Sequence, residues 1–416
     1  MKKITFFFWD GWLDVSPTLL SMLTYCKIKG YEVDFFIKDN KEYELKSIQE
    51  FKSEEINFHT ISTKNIFSKT FLFFVNKIEY LIKNIKSKFL IKLLYQFIYQ
   101  LNYISKFIEL KKFEFIVKKY KMNFTGGTVI FVDSLSTYLV RKHVDKFDDK
   151  FYLSLEILGR SVSKFDWFNY LIKKNETEFL NNHIDLIIIQ DEIRLLQFVN
   201  TLNLNRKIKS FFLPNSIFKD DFVMKSDFFR EKFNISSEIK ILLSAGMISE
   251  YVSSYDIAKV MGSQKEFKNI VTIFHNRIKD DYEEFYLNKI LEVSNSKVFL
   301  SLDPVHFNDL FKIYSSVDIG LVIYNSKIND LNYTEIGSAS GKLFQFAKFG
   351  IPVIASNIEG LKSLVKKYKL GVIIDSVEEI PNAINEINNN YEFYSNSSKE
   401  AFDNHLCINE FLSKLF

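Results

Sequence analysis

The chain has only two cysteines in 416 residues, Cys26 and Cys407. So few thiols, so far apart, exclude a disulfide framework and a cysteine-based metal site, and they fit a reducing, cytoplasmic compartment. The six histidines show no metal-ligand spacing, and Asp148-Asp149 and Asp280-Asp281 lie in charged loops rather than at strand ends. Chemistry with no metal and no bound cofactor is therefore expected. A strong excess of positive charge is also missing. The formal net charge is +4 and the pI about 8.6, too mild for the dense basic footprint of a nucleic-acid binder, so nucleic acid is excluded as the main partner. No stretch of about eighteen apolar residues runs free of charge, so no membrane-spanning helix is expected. Met1-Lys-Lys leads directly into Ile4-Thr-Phe-Phe-Phe-Trp9, without the apolar core or small-residue cleavage site of a signal peptide, and reads as a first strand.

What the chain does have is apolar material, 47% of its residues, and a length beyond what one core usually fills. Two domains are expected. Residues 4–9 form an apolar run leading to Asp10-Gly11-Trp12; Ser16-Pro17 opens a helical pattern that stops at Gly30, and Tyr31 to Lys38 makes a second strand. Further strands are predicted at Thr128–Val132, Phe151–Leu158 and Ile184–Gln190, separated by helix-length intervals. After Leu213-Pro-Asn-Ser216 and a polar linker, the alternation restarts at Ile239–Ser244, Ile270–Phe274, Lys297–Ser301, Val317–Ile323, Ile351–Ala355 and Gly371–Ile374. Such alternation implies parallel sheets with helices on both faces: an α/β chain of two Rossmann-like, doubly wound domains, residues 1–215 and 216–391, facing across a cleft. The tail from 392 to 416 reads as helical and is expected to pack back on the first domain.

Residues 69–120 break this rhythm. Phe, Leu, Ile and Tyr recur there at helical spacing, with Lys77, Lys83, Lys86, Lys88, Lys92, Lys106, Lys111 and Lys112 interleaved. One or two long helices inserted into the first domain are predicted. Such a pattern suits either an ordinary packed helix with a solvated face or a basic amphipathic helix lying on an anionic membrane, which would place the protein at the inner face of that membrane.

The most informative segment is Ser338-Ala-Ser-Gly-Lys-Leu-Phe-Gln-Phe-Ala-Lys-Phe-Gly-Ile-Pro-Val-Ile-Ala-Ser356: a turn of small residues, an amphipathic helix, a glycine stop and a buried strand. Small residues at 338–341 would leave backbone N–H groups uncovered at the positive end of a helix dipole. Lys342 adds a full positive charge in the first turn, where the dipole alone favours an acid. An anionic ligand, such as a phosphate, explains that choice; a capped helix with a solvated lysine is the alternative.

In order and spacing, residues 239–376 resemble the nucleotide-sugar-binding domain of GT-B glycosyltransferases, especially the large retaining family 4. The resemblance rests on Leu310-Phe-Lys-Ile-Tyr-Ser-Ser-Val-Asp-Ile-Gly320, Ser340-Gly-Lys342, Gly350-Ile-Pro-Val-Ile-Ala-Ser356, Glu359-Gly360 and Gly371-Val-Ile-Ile-Asp375. In the first half, Leu155-Glu156, Asp185-Leu-Ile-Ile-Ile-Gln-Asp191 and Leu213-Pro-Asn215 fall in the family's order. Two departures stand out. The family usually carries two glutamates with seven residues between them; Glu335 matches the first, but Leu343 holds the second place. The basic pair usual after the first strand of the second domain is replaced by Gly246-Met-Ile-Ser-Glu250.

The resemblance implies transfer of a sugar, with retention, from a nucleoside diphosphate sugar to a surface-glycan or lipid-linked acceptor in polysaccharide biosynthesis. The donor-binding residues it suggests are Gly246, His275, Arg277 (or Lys279), Asp303, Glu335, Ser338, Ser340, Gly341 and Lys342. Positive charge and N–H donors are needed there because negative charge grows on the leaving group. Gly11 and Trp12 are acceptor candidates, glycine permitting close backbone approach and the indole stacking on a sugar face; Asp133 is a third. Glu156, Asp10 and Lys342 are the catalytic candidates, a carboxylate taking the acceptor proton and Lys342 facing the leaving diphosphate. Two other readings remain: a catalytically silent partner subunit of an active transferase, and a sugar-nucleotide epimerase.

Overall fold

Apolar strand runs rather than strict alternation point to sheets covered on both faces, and both sheets are built that way. The computed structural model describes residues 2–416 apart from 10–11, 40–45, 63–76, 79–87, 121–123, 125, 158–165, 220–224, 265, 268, 278–282 and 329. Strands β1 (Lys3–Phe8), β2 (Glu32–Lys38), β3 (Ile56–Ile61), β4 (Thr128–Val132), β5 (Asp149–Leu153), β6 (Leu186–Ile189) and β7 (Lys209–Phe212) form one sheet in the order β3-β2-β1-β4-β5-β6-β7. Pairing is parallel from β3 through β6. Its centre is aromatic: Phe7 on β1 stacks on Phe36 of β2 at 4.9 Å and on Phe131 of β4 at 6.0 Å, all three buried. Burying one such side chain stabilises the fold by roughly 1.5–3 kcal/mol.

The second sheet contains β8 (Lys240–Gly246), β9 (Ile270–Asn276), β10 (Val298–Ser301), β11 (Ile319–Val322), β12 (Val353–Ser356) and β13 (Gly371–Ile374), parallel throughout in the order β10-β9-β8-β11-β12-β13. Because the first strand of each sheet has neighbours on both sides, the strand order reverses at β1/β4 and at β8/β11. Ligands of open parallel sheets bind beyond the carboxyl ends at such a switch point. In the second sheet those ends are Gly246 and Val322. Gly371 fits its place on β13 only as glycine: at φ +154° an added Cβ would lie 1.9 Å from the Val353 carbonyl oxygen on β12.

Contacts divide the chain into two units: residues 1–12, 26–188 and 198–211, and residues 13–25, 189–197 and 212–416. In the second unit the C-terminal segment forms helices Tyr391–Ala401 and Ile408–Leu415, separated by a π turn over Phe402–Leu406. The Ile408 amide donates to the Ile217 carbonyl at 3.0 Å, and Phe416 stacks on Tyr25 at 5.9 Å. In the first unit the described part of the expected insertion includes a helix, Lys88–Tyr120, of 33 residues; residues 69–76 and 79–87 lie outside the described residues. Ile98, Tyr103, Leu110, Phe113 and Val117 make its buried side, with Tyr103 stacked on Phe168 and Phe113 against Trp9. Among the described residues no helix is long and apolar enough to cross a membrane.

Candidate functional site

The switch point of the second sheet collects a distinct group of side chains. Helix Gly341–Lys348 lies against β11 because Gly320 has no side chain: a Cβ there would stand 2.5 Å from the Phe346 ring. Phe346 in turn meets Tyr314 edge-on at 5.0 Å. This packing fixes the start of the helix beside the end of β11, where Tyr324 follows Ile323. The Tyr324 hydroxyl lies 2.8 Å from Ser340 Oγ, and the Lys342 ammonium sits 4.3 Å from the centre of the Tyr324 ring and 3.5 Å from the Ile323 carbonyl oxygen.

Lys342 is 8% exposed, and among the described residues it forms no ion pair. Burial lowers its pKa to about 7, and the nearby Arg277 charge pushes in the same direction. Burying a cation without a carboxylate is costly, and a ligand anion is the group that would reverse that cost. The lysine is thus enclosed between Tyr324 and the sheet end, and the sequence alternative of a solvated side chain does not hold.

The turn itself differs from expectation. Three of the amides expected to be uncovered are engaged: Ser338 N donates to Asp191 Oδ2 at 2.8 Å, Ala339 N to the Ile336 carbonyl at 2.7 Å, and Ser340 N to the Gly337 carbonyl at 3.2 Å. The N–H groups that an anion would meet are therefore those of Gly341 and Lys342, which lie in the first helical turn where no intrahelical acceptor exists.

The remaining sequence candidates fall into distinct places. Gly246 ends β8, and its carbonyl accepts from Arg277 N at 2.9 Å, which brings the exposed Arg277 to the same strand ends. Glu335 follows the short helix Leu331–Thr334 and is half-buried. Leu343 is fully buried in the core, so the place of the family's second glutamate is a packing position here. His275 needs correction as a phosphate contact. Its ring is 2% exposed, 3.0 Å from Ser301 Oγ and edge-on to Phe229 at 5.9 Å; burial, helped by Lys232, lowers its pKa to about 4. It is uncharged at neutral pH and supplies no cation. Asp303 is exposed just past the end of β10 and pairs with Lys232 at 3.6 Å.

In the first unit, Asp133 is half-buried at φ +57° and its Oδ1 accepts the amides of Leu155 at 2.7 Å and Glu156 at 3.1 Å. That carboxylate clamps the loop that follows β5. Glu156 is exposed beyond the end of β5, and Trp12 is 37% exposed. Asp10, Gly11 and Lys279 lie outside the described residues. Among the described residues no group of three or more His, Cys, Asp or Glu could hold a metal ion.

Sequence reasoning missed Tyr324, and it named Asp191 and Asn215 only as the ends of family motifs, without a role. The signal for Tyr324 was its place one residue past an apolar strand; Asp191 and Asn215 act through backbone contacts that sequence spacing does not reveal.

Residues 266–412 match the family model described as Glucosyltransferase 3-like, C-terminal domain. No curated protein matches the chain at a level that names a relative. Among solved structures, the sucrose-phosphate synthase of Thermosynechococcus elongatus is similar over 100% of this chain and 97% of its own, with TM-score 0.66 and 12% identity. Anabaena HepE in complex with UDP-glucose covers 100% and 98% at TM-score 0.67 and 10% identity. A glycosyltransferase from Rickettsia africae covers 100% and 96% at 0.64 and 13%. By architecture this chain shares the fold of these GT-B structures, and its residues 266–412 match a glucosyltransferase 3-like C-terminal domain.

Proposed function

We propose that the protein transfers a hexose from a UDP-sugar to a glycan or lipid-linked acceptor, with the donor diphosphate held by Lys342, Ser340 and the amides of Gly341 and Lys342. The observation that carries this reading is the enclosed Lys342, a buried cation with no ion-pair partner among the described residues, set at a helix start beyond the switch point. An anion there meets an ammonium, a hydroxyl and helix-terminal N–H donors together. Arg277 adds charge from the end of β9. UDP is chosen over other diphosphates because HepE, of similar fold, is described in complex with UDP-glucose. As the glycosidic bond breaks, charge builds on the diphosphate, and these donors stabilise it more in the transition state than in the ground state. Glu156 is the proposed acid–base group toward the acceptor, with Asp10 as the second candidate. Retention of configuration belongs to the family 4 resemblance.

A thermal-shift screen against UDP-, GDP-, dTDP- and CMP-sugars tests the donor class. A ligand at 100 times its Kd stabilises the folded form by about 2.7 kcal/mol, so UDP and UDP-glucose are expected to raise the melting temperature while CMP-sugars do not. No shift with any donor sinks the reading.

A peripheral membrane contact through Lys88–Tyr120 is a separate part of the proposal. Leu90, Leu93, Phe97 and Ile104 are exposed at spacings of three, four and seven, which puts them on one stripe of the helix, with Lys92 and Lys106 exposed as well. Apolar area together with lysines matches an anionic lipid surface. Co-sedimentation with phosphatidylglycerol vesicles, but not with phosphatidylcholine vesicles, is the expected result. Equal behaviour with both, or loss of no binding when Leu93 and Phe97 become Ser, removes this part.

A further inference from the structure

Asp191 and Asn215 meet the same short segment, Gly337–Gly341, from two sides. Asp191 Oδ1 accepts the Arg194 amide at 2.9 Å, capping helix Glu192–Leu202, while Oδ2 accepts the Ser338 amide at 2.8 Å. Asn215 forms three contacts around the next peptides. Its amide N donates to the Ser338 carbonyl at 2.9 Å, its Nδ2 to the Ala339 carbonyl at 3.2 Å, and its Oδ1 accepts from Thr18 Oγ1 at 2.9 Å. Both the N–H and the C=O of Ser338 are therefore tied to fixed side chains or backbone. The turn is also built to admit these partners. At Gly337, φ is +34° and an added Cβ would come within 2.5 Å of Asp191 Oδ2; at Gly341 it would come within 3.1 Å of Asn215 Nδ2. On the far side, a Cβ on Gly360 would lie 2.6 Å from Gly337 Cα. Three glycines thus let the chain close in around one conformation.

The charge of Asp191 makes this arrangement informative. A carboxylate that takes the amide of Ser338, three residues before the helix starts, removes a donor from a ligand anion and places a negative charge near it. For affinity alone that is unfavourable. What it gains is orientation: with Ser338 fixed, the first turn of Gly341–Lys348 and the Ser340 hydroxyl are held in place before a ligand arrives, and donors aligned in advance lose less on binding than donors that must be ordered.

We propose that Asp191 and Asn215 are positioning residues that hold the turn Gly337–Ser340 in the conformation that receives the donor diphosphate. The inference rests on the reading of Lys342 and Gly341 as the phosphate site. It assigns Asp191 no contact with substrate and no proton transfer. Its effect is confined to the phosphate end of the ligand, and a part that merely supports the fold would not discriminate between ligand ends.

The test is isothermal titration of UDP and of uridine with wild type, Asp191→Asn, Asp191→Ala and Asn215→Ala. Asn at 191 keeps one acceptor and loses the other, so Asp191→Asn preserves the cap while releasing Ser338 or the reverse. UDP affinity is expected to fall about tenfold or more in each variant, with uridine affinity changed less than twofold. Equal weakening of UDP and uridine, or UDP affinity unchanged in Asp191→Asn, overturns the positioning role. Should Asp191→Ala fail to fold, Asp191→Asn and Asn215→Ala still decide it. Failure of wild type itself to bind UDP or any other diphosphate of the panel overturns instead the phosphate-site reading beneath it.

Discussion

Replacing Lys342 by methionine lowers UDP affinity by about 10- to 150-fold and, below pH 7, raises the melting temperature of the ligand-free protein. The affinity loss corresponds to roughly 1.5–3 kcal/mol for charge-assisted hydrogen bonds to a phosphate. Stability moves the other way because the lysine is buried with a pKa lowered from 10.5 to about 7. Between pH 7 and 10.5 the unfolded chain holds a proton that the folded chain has released, so stability rises with pH through that window; below it the folded protein carries the buried charge in full. Methionine fills a similar volume without the charge. The gain in melting temperature is therefore largest at pH 6 and shrinks toward pH 10. The same titration governs the ligand: wild-type UDP affinity falls as pH rises from 7 to 9, and binding takes up a proton, whereas the methionine variant shows a flat profile over that range. Calorimetry in two buffers of different ionisation enthalpy reads the proton directly. Unchanged UDP affinity in Lys342→Met would end the assignment of this lysine.

Gly371→Ala is expected to cost on the order of 4 kcal/mol or more, a loss of about 8 to 16 °C in melting temperature for a unit of this size. Two effects combine. The residue sits at φ +154°, which an L side chain rarely adopts, and the new methyl would press into backbone, 1.9 Å from the Val353 carbonyl oxygen and 2.6 Å from its nitrogen. Backbone at that distance has no rotamer to turn away, so β13 must leave β12 or the edge of the sheet must shift. Gly30→Ala is the control. Gly30 is also at positive φ, +64°, but an added Cβ meets nothing within 4 Å, so only the conformational cost of about 1–2 kcal/mol applies. Thermal unfolding of both variants settles the comparison, and equal losses would show that the contact with Val353 contributes nothing.

The sheets were largely legible in the sequence because they are covered on both faces and appear as unbroken apolar runs. Thr128–Val132 and Gly371–Ile374 were read with the observed bounds, and the other read strands within a few residues. β3 and β7 were missed for a physical reason: Ile56–Ile61 mixes Asn57, His59 and Thr60 into its run as an edge strand, and Lys209–Phe212 is short and mostly exposed. The tail was read as one helix, but a π turn at Phe402–Leu406 breaks it in two. Ser340, Gly341 and Lys342 stood out as candidates because small residues followed by a lysine violate the usual charge preference of a helix start. His275 could not be judged from sequence, since its neutrality comes from Phe229 and Lys232, distant in the chain. Asp191 and Asn215 stood in quoted motifs, but their contacts with the turn were hidden for the same reason, those partners lying over a hundred residues away.

The left-handed Asp133 bears on how mutagenesis of the first unit is interpreted. Its carboxylate tethers the two peptides that carry Leu155 and Glu156, so trimming it would release that loop and displace whatever Glu156 does. Slow turnover after such a change would be indistinguishable, in a simple rate assay, from removal of a general base. A carboxylate can thus score as essential while standing one step removed from the reacting atoms, and in this chain the acid in the strained backbone is the one most apt to be mistaken for the catalyst.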